Sequence, residues 1–125
     1  GLSVEAAKKK YQRPRPFMVN GEPMGVPEHE QEYRMDGSYP SGHTSAGFTW
    51  ALVLVELVPD RAEAIVARGL EFGESRMVIN VHWQSDVDAG RIMGAATFAR
   101  LQADEEFQHD MEMAKLEVAR VRSKP

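Results

Sequence analysis

The sequence predicts an all-α fold: a helical bundle around a central buried helix at about 44–58, with its polar chemistry at helix ends. Three observations carry this. The stretch holding Phe48, Trp50, Leu52, Val53, Leu54 and Leu57 is apolar nearly all round, as in a helix packed on every side. Two further segments space their apolar residues helically: Ala62, Ile65, Val66, Gly69 and Gly73 in one, Phe107, Met111, Ala114, Val118 and Val121 in the other. No segment shows the alternation of a half-buried strand.

The elements follow in order. Residues 5–12 start a helix that Pro14 and Pro16 must end, since proline removes a donor and clashes with the preceding turn. Residues 17–40 combine Pro, Gly, Asn and Asp with little periodicity and read as a long loop, a kind that is usually functional. Ser41 or Thr44 opens the central helix, which runs to Val58. Asp60 is a plausible N-cap for a helix reaching about Met77. Residues 78–84 leave the helix. Ser85 then caps another, with Asp86 and Asp88 in its first turn, where the helix dipole favours acids. Gly90 and Gly94, one turn apart, let a neighbouring backbone come close. The last helix spans about 104–122.

Composition bounds the function. A chain of 125 residues suggests one domain, 1–125. The net charge of −4 does not indicate general nucleic-acid affinity. The charge is uneven: Lys8, Lys9, Lys10, Arg13 and Arg15 crowd the start, and acids gather at 28–36 and 104–112. The absence of cysteine excludes disulfides and thiolate zinc sites. No signal peptide is visible, and the longest apolar stretch falls short of the roughly 20 residues of a membrane span.

Three polar clusters carry chemistry: Lys8 with Arg15-Pro16, then Pro40-Ser41-Gly42-His43, then Ser75-Arg76 with His82 and Asp86. The free N–H groups where the central helix starts make a ready anion site, with Gly42 allowing close approach and Ser41 offering a hydroxyl. Arginine forks suit phosphate oxygens, and lysine serves as a point charge. A nucleophilic histidine needs one ring nitrogen free and the other held. Asp86, four residues after His82, can fold back to do that. His43 beside the anion site can protonate a leaving oxygen. Together these are the means to hold an oxyanion and transfer a phosphoryl group through histidine without a metal. The bland alternatives are an N-cap turn with a surface histidine, and a capping aspartate near a core histidine. Metal ligation by His43, His82 and Asp86 is a further rival, disfavoured because the adjacent cations repel a divalent ion. His29 and His109 read as surface residues, Trp50 and Trp83 as packing.

The pattern Lys-x6-Arg-Pro, Pro-Ser-Gly-His and Ser-Arg-x5-His-x3-Asp resembles that of the phosphatidic acid phosphatase type 2 and vanadium haloperoxidase superfamily. Residues 37–45 and 82–91 are similar to bacterial class A non-specific acid phosphatases in particular. The resemblance implies an all-α fold and metal-independent hydrolysis of small phosphomonoesters at acidic pH through a phosphohistidine. It assigns His82 as nucleophile, Asp86 as its orienting group and His43 as acid. Lys8, Arg15, Ser41, Gly42 and Arg76 are the phosphate-binding residues. No cofactor is implied, and vanadate is a phosphate mimic. Phosphotransfer to alcohols, a periplasmic or secreted location and a homo-oligomer are compatible with it, and no membrane or nucleic-acid partner is expected. Class A enzymes resemble this chain over their C-terminal half, so it reads as a catalytic core lacking the family's N-terminal helices. Relatives often carry a cysteine pair where Gly25 and Ile79 stand. The competing functions are a vanadate-dependent haloperoxidase, a non-catalytic fragment or reduced core, and a membrane lipid phosphatase. The last needs several spans that this chain does not have.

Overall fold

The computed structural model describes residues 2–124. Its helices are α1 (Leu2–Tyr11), α2 (Glu30–Arg34), α3 (Gly42–Leu57), α4 (Ala62–Val78), α5 (Gln84–Leu101) and α6 (Glu105–Arg122). Single 3-10 turns at Pro16–Met18, Pro27–His29 and Pro59–Arg61 each begin with proline, whose fixed φ suits a first helical position. Among the described residues no strand forms, as the sequence predicts, and no helix is long and apolar enough to cross a membrane.

The hub is α3, which packs on α4 and on α5. Its first turns sit tightly against α5. A Cβ on Gly90 would lie 2.7 Å from the Ser41 carbonyl oxygen, and one on Gly94 2.7 Å from that of Ser45. The close approach expected at these two glycines is therefore present, and no larger residue fits without shifting a backbone. The buried positions of α3 are small: Thr44, Ser45, Gly47, Thr49 and Ala51. Thr49 closes the seam by donating its hydroxyl to the carbonyls of Ser45 and Gly94, at 2.9 and 3.1 Å.

The central helix is not buried all round, which corrects the sequence expectation. Trp50 is 67% exposed and Leu54 48%. With Val58, Ile65 and Phe72 they line an apolar groove of about 590 Å³ between α3 and α4. Small residues draw α4 and α5 in on two sides, leaving the large apolar ones facing outward. Trp50 is thus not a packing residue among the described residues.

Four other expectations change. First, α1 begins at Leu2 rather than 5. Second, the 17–40 segment holds α2 and two 3-10 turns. Third, Asp60 does not cap α4, because the turn Pro59–Arg61 comes between. Its carboxylate instead takes the Arg122 fork, both N–H···O distances 2.8 Å, tying the end of α6 to the α3–α4 corner. Fourth, α5 starts at Gln84, so Ser85 lies inside it and is not its cap. The predicted seam of α6 holds through Val118, with Met111 buried, but Val121 is exposed. Asp104 caps that helix by accepting the Phe107 N–H at 2.9 Å. Glu56, which interrupts the apolar run of α3, receives Lys115 at 3.0 Å and Gln102 at 2.6 Å and so anchors α6.

The 17–40 segment is stitched to the end of α4. Phe17 N–H reaches the Asn80 carbonyl at 3.2 Å, and Gly25 N–H the Ile79 carbonyl at 2.9 Å. Phe17, Met24 and Val81 form a small buried cluster beneath it. A Cβ on Gly25 would lie 2.8 Å from Ile79 Cβ, so the two positions to which the resemblance assigns a cysteine pair are side by side.

Candidate active site

Every polar cluster lies at a helix end. Lys8 comes from the last turn of α1, Arg15 from the residue before the Pro16 turn, and Ser41, Gly42 and His43 from the start of α3. Arg76 closes α4, His82 follows it, and Asp86 sits in the first turn of α5. Main-chain bonds lock the segments together: Ser38 N–H to the Arg13 carbonyl at 2.9 Å, and Ser41 N–H to the Asp86 carbonyl at 2.9 Å. After α4, Asn80 takes a left-handed φ of 62°, a conformation asparagine tolerates. That reversal lets the Arg76 carbonyl accept the N–H of both Val81 and His82, each at 3.2 Å, fixing His82 against α4.

Lys8, Arg15, Gly42, His43 and His82 line one cleft of about 760 Å³. Its walls include some of the most buried side chains of the molecule: Arg15 is 1% exposed, His82 3% and Lys8 5%. Burying so much charge demands dense pairing, and the site supplies it.

His82 is held at both ring nitrogens. Nδ1 lies 3.3 Å from Asp86 Oδ2, and Nε2 lies 3.3 Å from an Arg15 guanidinium nitrogen. The carboxylate can only accept and the guanidinium can only donate. The proton therefore resides on Nδ1, and the Nε2 lone pair faces the cations. Burial pushes the His82 pKa down to about 4; Asp86 opposes this, while Arg15 and Lys8 add to it. Asp86 is fully buried, and its Oδ2 also accepts the Trp83 N–H at 2.8 Å. Its pKa is lowered: burial alone would raise it, but bonds from His82 and Trp83 and the Arg13 charge prevail. Both Asp86 oxygens are engaged within the protein, so His43, His82 and Asp86 do not open onto one metal-ligand point.

Two of the expected cations converge on one oxygen. Asp36 Oδ2 lies 2.8 Å from Lys8 Nζ and 3.1 Å from an Arg15 nitrogen. Arg15 spends its remaining donors on the carbonyls of Tyr33, Asp36, Val81 and Gly37. Burial lowers its pKa, and Asp36 is the largest opposing influence. Arg76 does not join them on that oxygen. It donates to the Tyr33 hydroxyl at 2.7 Å, while the Tyr33 ring stacks under the Arg15 guanidinium at 4.5 Å.

At the mouth, His43 is exposed and tilts against the Phe72 ring at 6.4 Å. Although its side chain reaches solvent, its pKa is lowered, first by partial desolvation of the ring against its neighbours and then by Arg76, Lys8 and Arg15. Ser41 is fully buried and caps α3, its hydroxyl oxygen accepting from Thr44 N–H at 3.2 Å and from the Thr44 hydroxyl at 2.8 Å. His29 and the α6 residue His109 are exposed, as the sequence predicts. The sequence reading passes over Arg13, Tyr33 and Asp36. Arg13 counts there only as part of a basic run and Asp36 only as part of an acidic one. Pairing across the fold is what brings them to the site.

The family model described as PAP2 superfamily matches residues 1–105. The chain is 50% identical over 116 residues to a non-specific acid phosphatase of Salmonella typhimurium, covering 93% of this chain and 46% of that protein. It is 44% identical over 120 residues to an acid phosphatase of Zymomonas mobilis, covering 96% and 46%. To a non-specific acid phosphatase of Providencia stuartii it is 42% identical over 121 residues, covering 97% and 49%. The chain thus spans about half the length of the curated relatives it matches. A family match over most of its length, on an all-helical fold, establishes that this chain belongs to the PAP2 superfamily.

Proposed function

We propose that the protein containing this chain is a metal-independent acid phosphatase acting on small phosphomonoesters, with His82 as the covalent nucleophile. One observation carries the proposal: a buried His82 whose Nδ1 faces Asp86 and whose Nε2 faces a cleft lined by Lys8 and Arg15, with exposed His43 at its mouth. The names of the relatives, acid phosphatase and non-specific acid phosphatase, support hydrolysis over halide oxidation.

The chemistry balances without a co-reactant. His82 Nε2 attacks phosphorus in line with the ester oxygen, and the P–O bond breaks as His43 gives its proton to that oxygen. Asp86 holds the Nδ1 proton and stabilises the positive ring. Water then passes a proton to His43 and attacks phosphorus, the P–N bond breaks, and inorganic phosphate leaves. Lys8, Arg15 and Arg76, with the Gly42 N–H at the helix start, hold the non-bridging oxygens where charge collects. Ser41 acts from beneath by shaping that helix start. An alcohol in place of water would give phosphotransfer. A periplasmic or secreted setting and assembly with further copies are part of the same proposal, by likeness to the relatives.

The test is p-nitrophenyl phosphate hydrolysis in EDTA, with acid-quench trapping of labelled phosphohistidine. Activity that persists in EDTA and disappears in His82→Ala is the expected result. Activity lost to chelation but surviving His82→Ala overturns the proposal, and a folded protein that neither turns over nor binds vanadate marks a non-catalytic core.

A further inference from the structure

We infer that Arg13 is a positioning residue: its guanidinium fixes the Asp86 carboxylate and balances its charge, so that His82 presents an unprotonated Nε2. This rests on the phosphatase proposal above. Arg13 does not line the cleft, and it acts only through Asp86.

The geometry is specific. One Arg13 nitrogen donates to Asp86 Oδ1 at 2.7 Å and to Ser85 Oγ at 2.6 Å. Arg13 lies over the Trp83 ring at 5.6 Å, and the Trp83 indole N–H is tied to the Pro14 carbonyl at 2.9 Å. Arginine, tryptophan and the Pro14 backbone thus form a clamp joining the segment after α1 to the start of α5. Oδ1 belongs to Arg13, and Oδ2 to His82 and the Trp83 N–H.

Charge explains why a clamp is needed. Asp86 is buried and ionised, and a buried carboxylate requires a compensating cation. Two groups are available to supply it: Arg13, or His82 by taking a proton. An imidazolium has no lone pair with which to attack phosphorus, so only the first choice leaves a nucleophile. The other groups acting on His82 are Arg15 and Lys8 of α1, both of which oppose its protonation. Arg76 of α4 acts on Arg15 and His43. Arg13 is therefore the cation assigned to Asp86 itself.

The experiment is the pH dependence of kcat and kcat/KM for p-nitrophenyl phosphate in Arg13→Gln and Arg13→Lys, with phosphate inhibition measured alongside. In Arg13→Gln, kcat falls about 10- to 100-fold, in the range seen for groups that orient a catalytic ligand. Its acid limb moves up by about one pH unit as the freed Asp86 charge draws a proton onto His82. Phosphate inhibition near neutral pH stays within about twofold, because Lys8, Arg15 and Arg76 remain. Arg13→Lys keeps the charge but loses the planar guanidinium that lies over Trp83, so its acid limb stays in place while kcat drops. An Arg13→Gln limb that does not move overturns the inference, whatever happens to kcat, since that marks a packing role. Should Arg13→Gln fail to fold, Arg13→Lys decides: an upward-shifted limb despite the retained charge overturns the inference, and a fixed limb with reduced kcat supports it. A parent protein inert toward phosphomonoesters sinks the phosphatase proposal and this one together, whereas an active parent indifferent to Arg13 sinks this one alone.

Discussion

Asp36 places one carboxylate oxygen 2.8 Å from Lys8 Nζ, and the same oxygen is shared with Arg15. An anion is thus already present on the cations that would receive phosphate, and it belongs to the protein. Substrate must displace it or share its donors.

Asp36→Asn therefore binds inorganic phosphate and vanadate more tightly than the parent. A charge-assisted hydrogen bond is worth about 1.5–3 kcal/mol, and Asp36 is about half exposed, which discounts that figure. The expected gain is about three- to tenfold. Competitive inhibition constants at one fixed pH measure it. Unchanged or weaker inhibition would show that Asp36 orients the cations rather than competing for them.

His43→Asn separates acid catalysis from binding. General acid assistance typically contributes about 10²–10⁴-fold, but only where the leaving oxygen needs a proton. The loss in kcat is expected to be large for an alkyl phosphate and several times smaller for p-nitrophenyl phosphate, whose phenolate leaves readily. Equal losses on both substrates would remove His43 from that role.

The two histidines fix the shape of the pH profile. As the proposed nucleophile, His82 must be neutral, so kcat/KM is expected to rise as pH passes about 4, the value to which burial lowers it. His43 must be protonated to donate. Burial, with Arg76, Lys8 and Arg15, lowers its pKa, so kcat/KM falls again below the ordinary histidine value of 6.5. The result is a bell with an acidic maximum. A bound phosphate dianion offsets the three cations, so the alkaline limb of kcat lies above that of kcat/KM. An alkaline limb of kcat/KM above pH 7 contradicts this ordering.

The same burial makes the fold acid-sensitive. Below pH 6.5 the unfolded chain takes up a proton on His82 that the folded chain refuses until about pH 4. Stability is full above 6.5 and is lost as pH falls toward 4, by about 3 kcal/mol at ~1.4 kcal/mol per unit. Urea unfolding at several pH values from 7 to 4.5 reads the slope, and His82→Gln flattens it. An equal slope in that variant would place the sensitivity elsewhere.

The helices and the motif residues were legible because their signals are local. The stripes at 62–73 and 107–118 read directly as helix faces, and the spacing of His82 and Asp86 puts a carboxylate one turn from an imidazole. Three features escaped for reasons of distance. Asp36 meets Lys8 across 28 residues, Arg13 meets Asp86 across 73, and Arg76 meets Tyr33 across 43. No periodicity records such pairings. The sidedness of α3 escaped for another reason. An all-apolar helix reads as buried everywhere, whereas here Thr44, Ser45, Gly47 and Ala51 hold the contacts while Trp50 and Leu54 face outward.

The backbone stitching has a consequence for how substrate range can change. The proposed nucleophile His82, its carboxylate and the helix start are aligned by main-chain bonds such as Ser41 N–H to the Asp86 carbonyl and His82 N–H to the Arg76 carbonyl, which do not depend on side chains at 30–36. The residues above the cations, Tyr33 and Asp36, come instead from the short α2 and the turn that follows it. If the phosphatase proposal holds, the 30–36 stretch is where substrate range can change: its side chains can be rewritten while these main-chain bonds keep His82 and Asp86 aimed, much as a tool changes its jaw without changing its hinge.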